Sequence, residues 1–159
     1  MHGNNVPPAR SNYGDVVNGP WVFGALETLP DGRRDFRMVP VSRRDRATLR
    51  PLITRLIAPG TTIISDEWGA YRGLEGWGMD YTHLTVNHSE NFVNPNNGAH
   101  TQNVERAWRD LRFNVLKKRN GYKSGEELRG LLAEHWWRGL HGDHPFLDFL
   151  DEVRRQNPV

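Results

Sequence analysis

Asp66 and Glu105 are the two carboxylates whose surroundings could support chemistry. Asp66 ends a short apolar, β-branched run, Thr61-Thr62-Ile63-Ile64-Ser65, which reads as a buried strand delivering an acid to a sheet edge. Glu105 lies near the first turn of an amphipathic helix that opens at His100-Thr101-Gln102. Residues 67–104 separate the two. Carboxylates converging on one point from a strand end and a helix are what divalent metal ions require. Each acid also has a plainer reading. Asp66 could cap a helical turn over Trp68 to Tyr71. Glu105 could pair with Arg109 at i,i+4, worth roughly a few tenths of a kcal/mol. Glu67, beside Asp66, points elsewhere on either a strand or a helix and reads as a surface charge.

The elements that must position these acids are legible from periodicity. Residues 1–19, with Pro7-Pro8 and several Asn and Gly, read as an irregular N-terminal tail. Trp21 to Glu27 and Phe36 to Val41 read as two strands joined at Pro30-Asp31-Gly32, a hairpin. Leu49, Leu52, Ile53, Leu56 and Ile57 form one apolar stripe on a helix capped by Ser42 or Asp45, which starts late or kinks at Pro51. The Asp66 strand follows, then a helical turn near Tyr71 to Leu74 and a strand over Tyr81 to Val86. Residues 87–100 are polar, with His88 and His100 at their ends and Phe92 and Val93 expected to pin the middle. The Glu105 helix spans Gln102 to Arg119 and buries Val104, Ala107, Trp108, Leu111, Val115 and Leu116. Ser124 with Glu127 is a capping-box signature for a long helix through Leu140, and a short helix runs from Pro145 to Arg155. Trp136-Trp137 reads as core rather than as a base-stacking platform. Strands and helices in this order predict an α/β (α+β) domain over residues 20–157, a mixed sheet with flanking helices.

Composition narrows the partners. The chain has 159 residues, 36% hydrophobic and 25% charged, enough for one domain with a core. No apolar run approaches the roughly 20 residues of a membrane span, and no cysteine is present for disulfides or thiolate zinc. Of 21 basic residues only Lys117, Lys118 and Lys123 are lysine. Arginine forms bidentate phosphate contacts, so the excess favours a nucleic-acid partner. Arg106, Arg109, Arg112, Lys117, Lys118 and Arg119 make the Glu105 helix basic, able to track a DNA backbone or simply to face solvent. His88 and His100 could bind phosphate or assist proton transfer near the acids; ordinary hydrogen-bonded loop histidines are the commoner case.

Four blocks carry a family resemblance: Pro20 to Glu27, Pro59 to Tyr71, Thr85 to Val93 and His100 to Trp108. In type and order they resemble the transposase domain of the ISXO-like insertion sequences and their eukaryotic Merlin relatives, over roughly Asn18 to Arg138. The resemblance implies an RNase H-like fold and DDE chemistry. In such a site two Asp and a Glu hold two Mg²⁺ (or Mn²⁺) ions that drive in-line attack on a DNA phosphodiester. By matched block, Asp66 takes the second acid's place and Glu105 the third's, as catalytic and metal-binding residues. DNA is then the partner, and transposases of this kind usually work as oligomers on paired ends. Compartment would follow the host, nucleus for a eukaryotic protein and cytoplasm for a bacterial one.

The departure lies upstream. The family's first Asp sits on a strand before the Trp-Val-Phe-Gly block, and no such strand is legible here. Asp15 is the nearest carboxylate, in a polar, Gly-flanked segment. The sequence therefore predicts an N-terminally truncated RNase H-like domain whose cleavage chemistry is impaired by the loss of the first acid. The alternative is a catalytically inactive, domesticated module that binds DNA or protein.

Overall fold

A computed structural model describes the protein over residues 11–12, 15–16, 21–87, 93–95, 98–117 and 124–158, with side chains outside the description at 11–12, 15–16 and 115–117. The architecture is α+β. In chain order the elements are β1 (Ser11–Asn12), β2 (Asp15–Val16), β3 (Trp21–Thr28), β4 (Arg34–Val41), α1 (Arg46–Leu56), β5 (Thr62–Asp66), β6 (Thr82–Val86), α2 (Gln102–Leu111), α3 (Gly125–His141) and α4 (Pro145–Gln156). Among the described residues the strands form three two-stranded ladders, β1–β2, β3–β4 and β5–β6, where the sequence predicts one mixed sheet. The stretch read as an irregular tail contains the first of these, with Asn12 opposite Asp15. The chain divides into two compact units, residues 1–23 with 41–102, and residues 24–40 with 103–159.

The first unit is built around α1 and the β5–β6 pair. Asp45 caps α1, its Oδ1 accepting from the Thr48 N–H at 2.9 Å and the Thr48 hydroxyl at 2.8 Å. These bonds hold the Asp45 carboxyl below its usual range, with Arg43 contributing less. Pro51 lies inside the helix, so the helix does not start late. What is lost is one N–H that would bond the Ala47 carbonyl. Burial of Leu49, Leu52 and Ile53 outweighs it, at about 1.5–3 kcal/mol each. A turn at Gly60, with φ +77°, reverses the chain, and the Gly60 N–H bonds the Met79 carbonyl.

β5 and β6 run parallel in the register Thr62↔Thr82 to Asp66↔Val86. Parallel neighbours need a long connection. Here it is two 3₁₀ turns, Gly69–Tyr71 and Leu74–Trp77, separated by Gly73 in the left-handed region. Leu74 is wholly buried, and Trp77, Tyr81 and Val86 are buried with it. The Tyr81 hydroxyl donates to the Ile57 carbonyl at 2.7 Å, joining the end of α1 to the start of β6. β5 itself is not the buried strand its composition predicts. Ile64 is 42% exposed and alternate residues face outward, so only the Ile63–Ser65 face is partly covered. Of the two residues expected to pin the polar loop, Phe92 lies outside the described residues and Val93 is 43% exposed. The Asn94 side chain holds it, donating to the Thr85 carbonyl at 2.9 Å, while its N–H bonds the Ala99 carbonyl.

In the second unit, the hairpin residues 24–40 pack with α2 and α3, and α4 packs on α3. The hairpin turn closes through the Leu29 N–H to the Arg33 carbonyl, and Arg33 Nη1 reaches the Leu140 carbonyl on α3. Asp35, buried on β4, accepts from Trp136 Nε1 at 2.7 Å and Arg37 Nε at 2.9 Å. Ser124 caps α3 by accepting the Glu127 N–H, as its signature predicts. Leu128, Leu131 and Leu132 are buried. Trp137 stacks on His141 with centroids 3.6 Å apart and donates to the Pro145 carbonyl, so both tryptophans of the pair are structural. α4 buries none of its residues and leaves Phe146 69% exposed, with Phe149 and Val153 exposed beside it. α2 gives way at Arg112 to a π-helical turn that runs to Lys117.

Trp108 anchors α2 to the hairpin. Its ring meets Phe36 edge-on, with centroids 5.1 Å apart and planes at 87°. Gly24 makes this approach feasible, since a Cβ there would overlap the indole and lie 2.9 Å from Phe36 Cε2. Two packed rings cannot both yield, so Gly24→Ala should destabilise the fold by about 1–3 kcal/mol despite alanine's better backbone entropy. A chemical-denaturation midpoint equal to or above that of the parent chain would contradict this packing.

Candidate functional site

Asp66 terminates the β5 ladder opposite Val86, and its side chain is exposed. Strand alternation puts Ile64 and Asp66 on one face and Ile63 and Ser65 on the other. Past the ladder the chain turns at once, and Asp66 Oδ1 accepts the Trp68 N–H at 3.2 Å. The plainer reading of Asp66 is therefore realised in part. It closes a turn leading to the Gly69–Tyr71 3₁₀ segment, though the residue flanking that segment is Trp68. A turn-closing carboxylate that stays exposed remains able to bind a cation.

The turn is clamped by aromatic packing that the sequence reading does not anticipate. Trp68 Nε1 donates to the Arg44 carbonyl at 3.0 Å. The Arg44 guanidinium lies over two indoles, 3.9 Å from the Trp21 centroid and 4.6 Å from that of Trp68. Such contacts are worth about 0.5–2 kcal/mol each, most when desolvated. Tyr71 lies close enough to feel the same charges. Burial, reinforced by the Asp66 charge and opposed by Arg44, pushes its phenol up to about 12. On the other face of the ladder Ser65 Oγ donates to the Asp66 carbonyl at 2.7 Å and lies 2.9 Å from His83 Nε2. Arg44 and His83 escape a motif search because they come from other segments, and Trp21, though inside the Pro20 to Glu27 block, shows nothing there of its contact with Arg44. The only signal in the sequence is His83 on the strand that pairs with β5.

Glu105 occupies the first turn of α2 and is exposed, as are Arg106, Arg109 and Arg112 on the same helix. Asp66 belongs to the first compact unit and Glu105 to the second. His100 is half-buried in the first unit, with Nδ1 buried and lacking a hydrogen-bond partner. His88, Lys118 and Arg119 lie outside the described residues, as does the side chain of Lys117. Among the described residues no group of three or more His, Cys, Asp or Glu side chains could hold a metal ion. The donor chemistry still fits a hard cation. Asp66 and Glu105 are carboxylates, the hard oxygen donors that Mg²⁺ takes, each exposed within its own unit. No helix of the described residues is long and apolar enough to cross a membrane.

The family model for the ISXO2-like transposase domain matches residues 8–138, and the chain belongs to that family. The match takes in both acids, the Arg44 clamp and His83, and ends within α3. It begins upstream of Asn18, where the resemblance by eye begins. Comparison with curated proteins and with solved structures gives no match.

The raised Tyr71 value has a signed consequence. The phenol stays protonated in the folded chain between pH 10 and about 12 while its unfolded counterpart ionises. Stability is therefore fully present below pH 10 and falls as pH rises towards 12, by roughly 2–3 kcal/mol at most. Burial raises Tyr81 in the same direction. Denaturant melts between pH 9 and 11.5 should show the decline, and Tyr71→Phe should flatten most of it. An unchanged slope in Tyr71→Phe would mean that the phenol is not held neutral by its site.

Proposed function

We propose that this chain is a DDE-type transposase domain of RNase H-like ancestry for DNA strand cleavage and transfer, its chemistry impaired by the loss of the family's first acid. Asp66 and Glu105 are the carboxylates that would hold Mg²⁺ or Mn²⁺. The observation that supports this best is Asp66 itself: an exposed acid at the end of a parallel strand, braced by the turn that follows it, inside the family-matched stretch. A divalent ion bound there supplies Lewis-acid stabilisation of charge at the scissile phosphodiester. The chain's own contributions are positional. Asp66 and Glu105 present hard oxygen donors, and the exposed Arg106, Arg109 and Arg112 neutralise backbone phosphates beside Glu105.

Purified full-length protein should nick supercoiled DNA with Mn²⁺ and lose that activity in EDTA. Asp66→Ala and Glu105→Ala should each slow nicking by about 1,000-fold, a loss of several kcal/mol of transition-state stabilisation. Replacing Arg106, Arg109 and Arg112 together by alanine should flatten the log–log dependence of DNA affinity on salt by about 2–3, roughly 0.9 per phosphate contact. Nicking at equal rates in the acid variants would remove both residues from the chemistry.

The loss of the family's first acid favours a second reading. With no group of three or more metal-binding side chains among the described residues, the chain would be a DNA- or protein-binding module without cleavage activity. Metal-independent DNA binding that survives in the Asp66→Ala, Glu105→Ala double variant, with no nicking by the parent chain, would establish it over the first.

A further inference from the structure

The face of the β5–β6 ladder away from the Asp66 side chain holds a hydrogen-bonded relay that the proposed chemistry leaves unused. In the parallel register His83 lies opposite Ile63, and Thr85 lies opposite Ser65. Alternation brings Ile63, Ser65, His83 and Thr85 to one side. The His83 side chain is only 5% exposed, and its Nδ1 stands 4.0 Å from Glu75 Oε1 on the Leu74–Trp77 turn. Its Nε2 is 2.9 Å from Ser65 Oγ, while that hydroxyl is directed at the Asp66 carbonyl, 2.7 Å away.

A serine hydroxyl has one proton and two lone pairs. Both contacts are satisfied together only if Ser65 gives its proton to the Asp66 carbonyl and receives one from His83. Nε2 must then carry a hydrogen. The imidazole orientation is fixed by a strand neighbour, and the hydroxyl passes that constraint to the backbone of Asp66. At the other end of the same residue, the carboxylate accepts from the Trp68 N–H, and Trp68 is itself held by the Arg44 carbonyl and guanidinium. Asp66 is thus gripped by its carbonyl from one face and by its side chain from the turn.

We propose that His83, as the Nε2–H tautomer acting through Ser65, is a positioning residue for the Asp66 carboxylate. The inference rests on the reading of Asp66 as a metal ligand, and its test separates the two. Groups one bond removed from a metal's ligands orient them, and their loss costs about 10–100-fold in metal affinity.

The experiment is NMR on the ¹⁵N-labelled full chain. The His83 ring nitrogens should show Nε2 protonated. Ser65→Ala, a small change on a strand, should raise amide hydrogen exchange at Trp68 about fivefold, the effect of one lost hydrogen bond. It should also weaken Asp66-dependent Mn²⁺ broadening about tenfold. His83→Leu should do the same, and His83→Gln, which keeps an N–H donor, should recover most of both. An Nδ1–H tautomer would overturn the proposal. So would parent-like Trp68 exchange in a folded Ser65→Ala variant, or a His83→Gln variant no better than His83→Leu. If the parent chain shows no Asp66-dependent Mn²⁺ broadening, the metal-ligand reading fails, while the tautomer and the Trp68 exchange still decide whether His83 positions Asp66.

Discussion

Asp66 closes a parallel ladder, and what happens at the last rung governs the rest of the first unit. A strand end leaves backbone groups without ladder partners, and an exposed acid there would ordinarily wander with them. Here the carbonyl of Asp66 accepts from Ser65, its carboxylate accepts from Trp68, and Trp68 is held to the chain before α1 through Arg44. Three segments distant in sequence therefore meet at one turn: the start of β3, the approach to α1, and the chain after β5. A carboxylate held this way loses rotamer freedom before any ligand arrives, which is the entropic part of preorganisation.

The second unit solves a parallel problem by packing rather than by hydrogen bonds. Glu105 sits in the first turn of a helix whose buried residue is Leu111, and the helix gains its fixed seat from Trp108 against Phe36 over the Cβ-less surface of Gly24. Asp35 and Trp136 secure the hairpin to α3 by a part-buried bond, and the buried Asp35 could not leave it unmade cheaply. Glu105 is thus presented from a helix held at its next turn, while Arg106, Arg109 and Arg112 remain exposed along it.

Periodicity located the elements well because it reports burial of one face. The α1 stripe, the Ser124 cap and the start of α2 emerge where apolar spacing and capping chemistry predict them. The readings that failed share a cause. β5 looked buried because Ile63 and Ile64 are apolar and β-branched, yet Ile64 is exposed, since what packs against a strand's faces is not encoded in the strand's own composition. Of the two readings of Pro51, a late helix start is excluded, because α1 begins at Arg46, five residues before it. Val93 looked like an anchor, but Asn94 holds the loop, because one side-chain amide facing a strand carbonyl outweighs an apolar residue with nowhere to go.

The sequence alone determined the residue types that make cation and phosphate chemistry conceivable: an acid at a strand end, an acid in a first helical turn, and arginines following it. It also determined the family, through short blocks whose order survives in the chain. Only the tertiary structure decided that Trp21, Arg44 and Trp68 form one stack and that His83 reaches Ser65 across a parallel register. Those contacts join residues far apart along the chain. A linear pattern carries spacing within an element, whereas the pairing of elements is set by which buried surfaces close against each other.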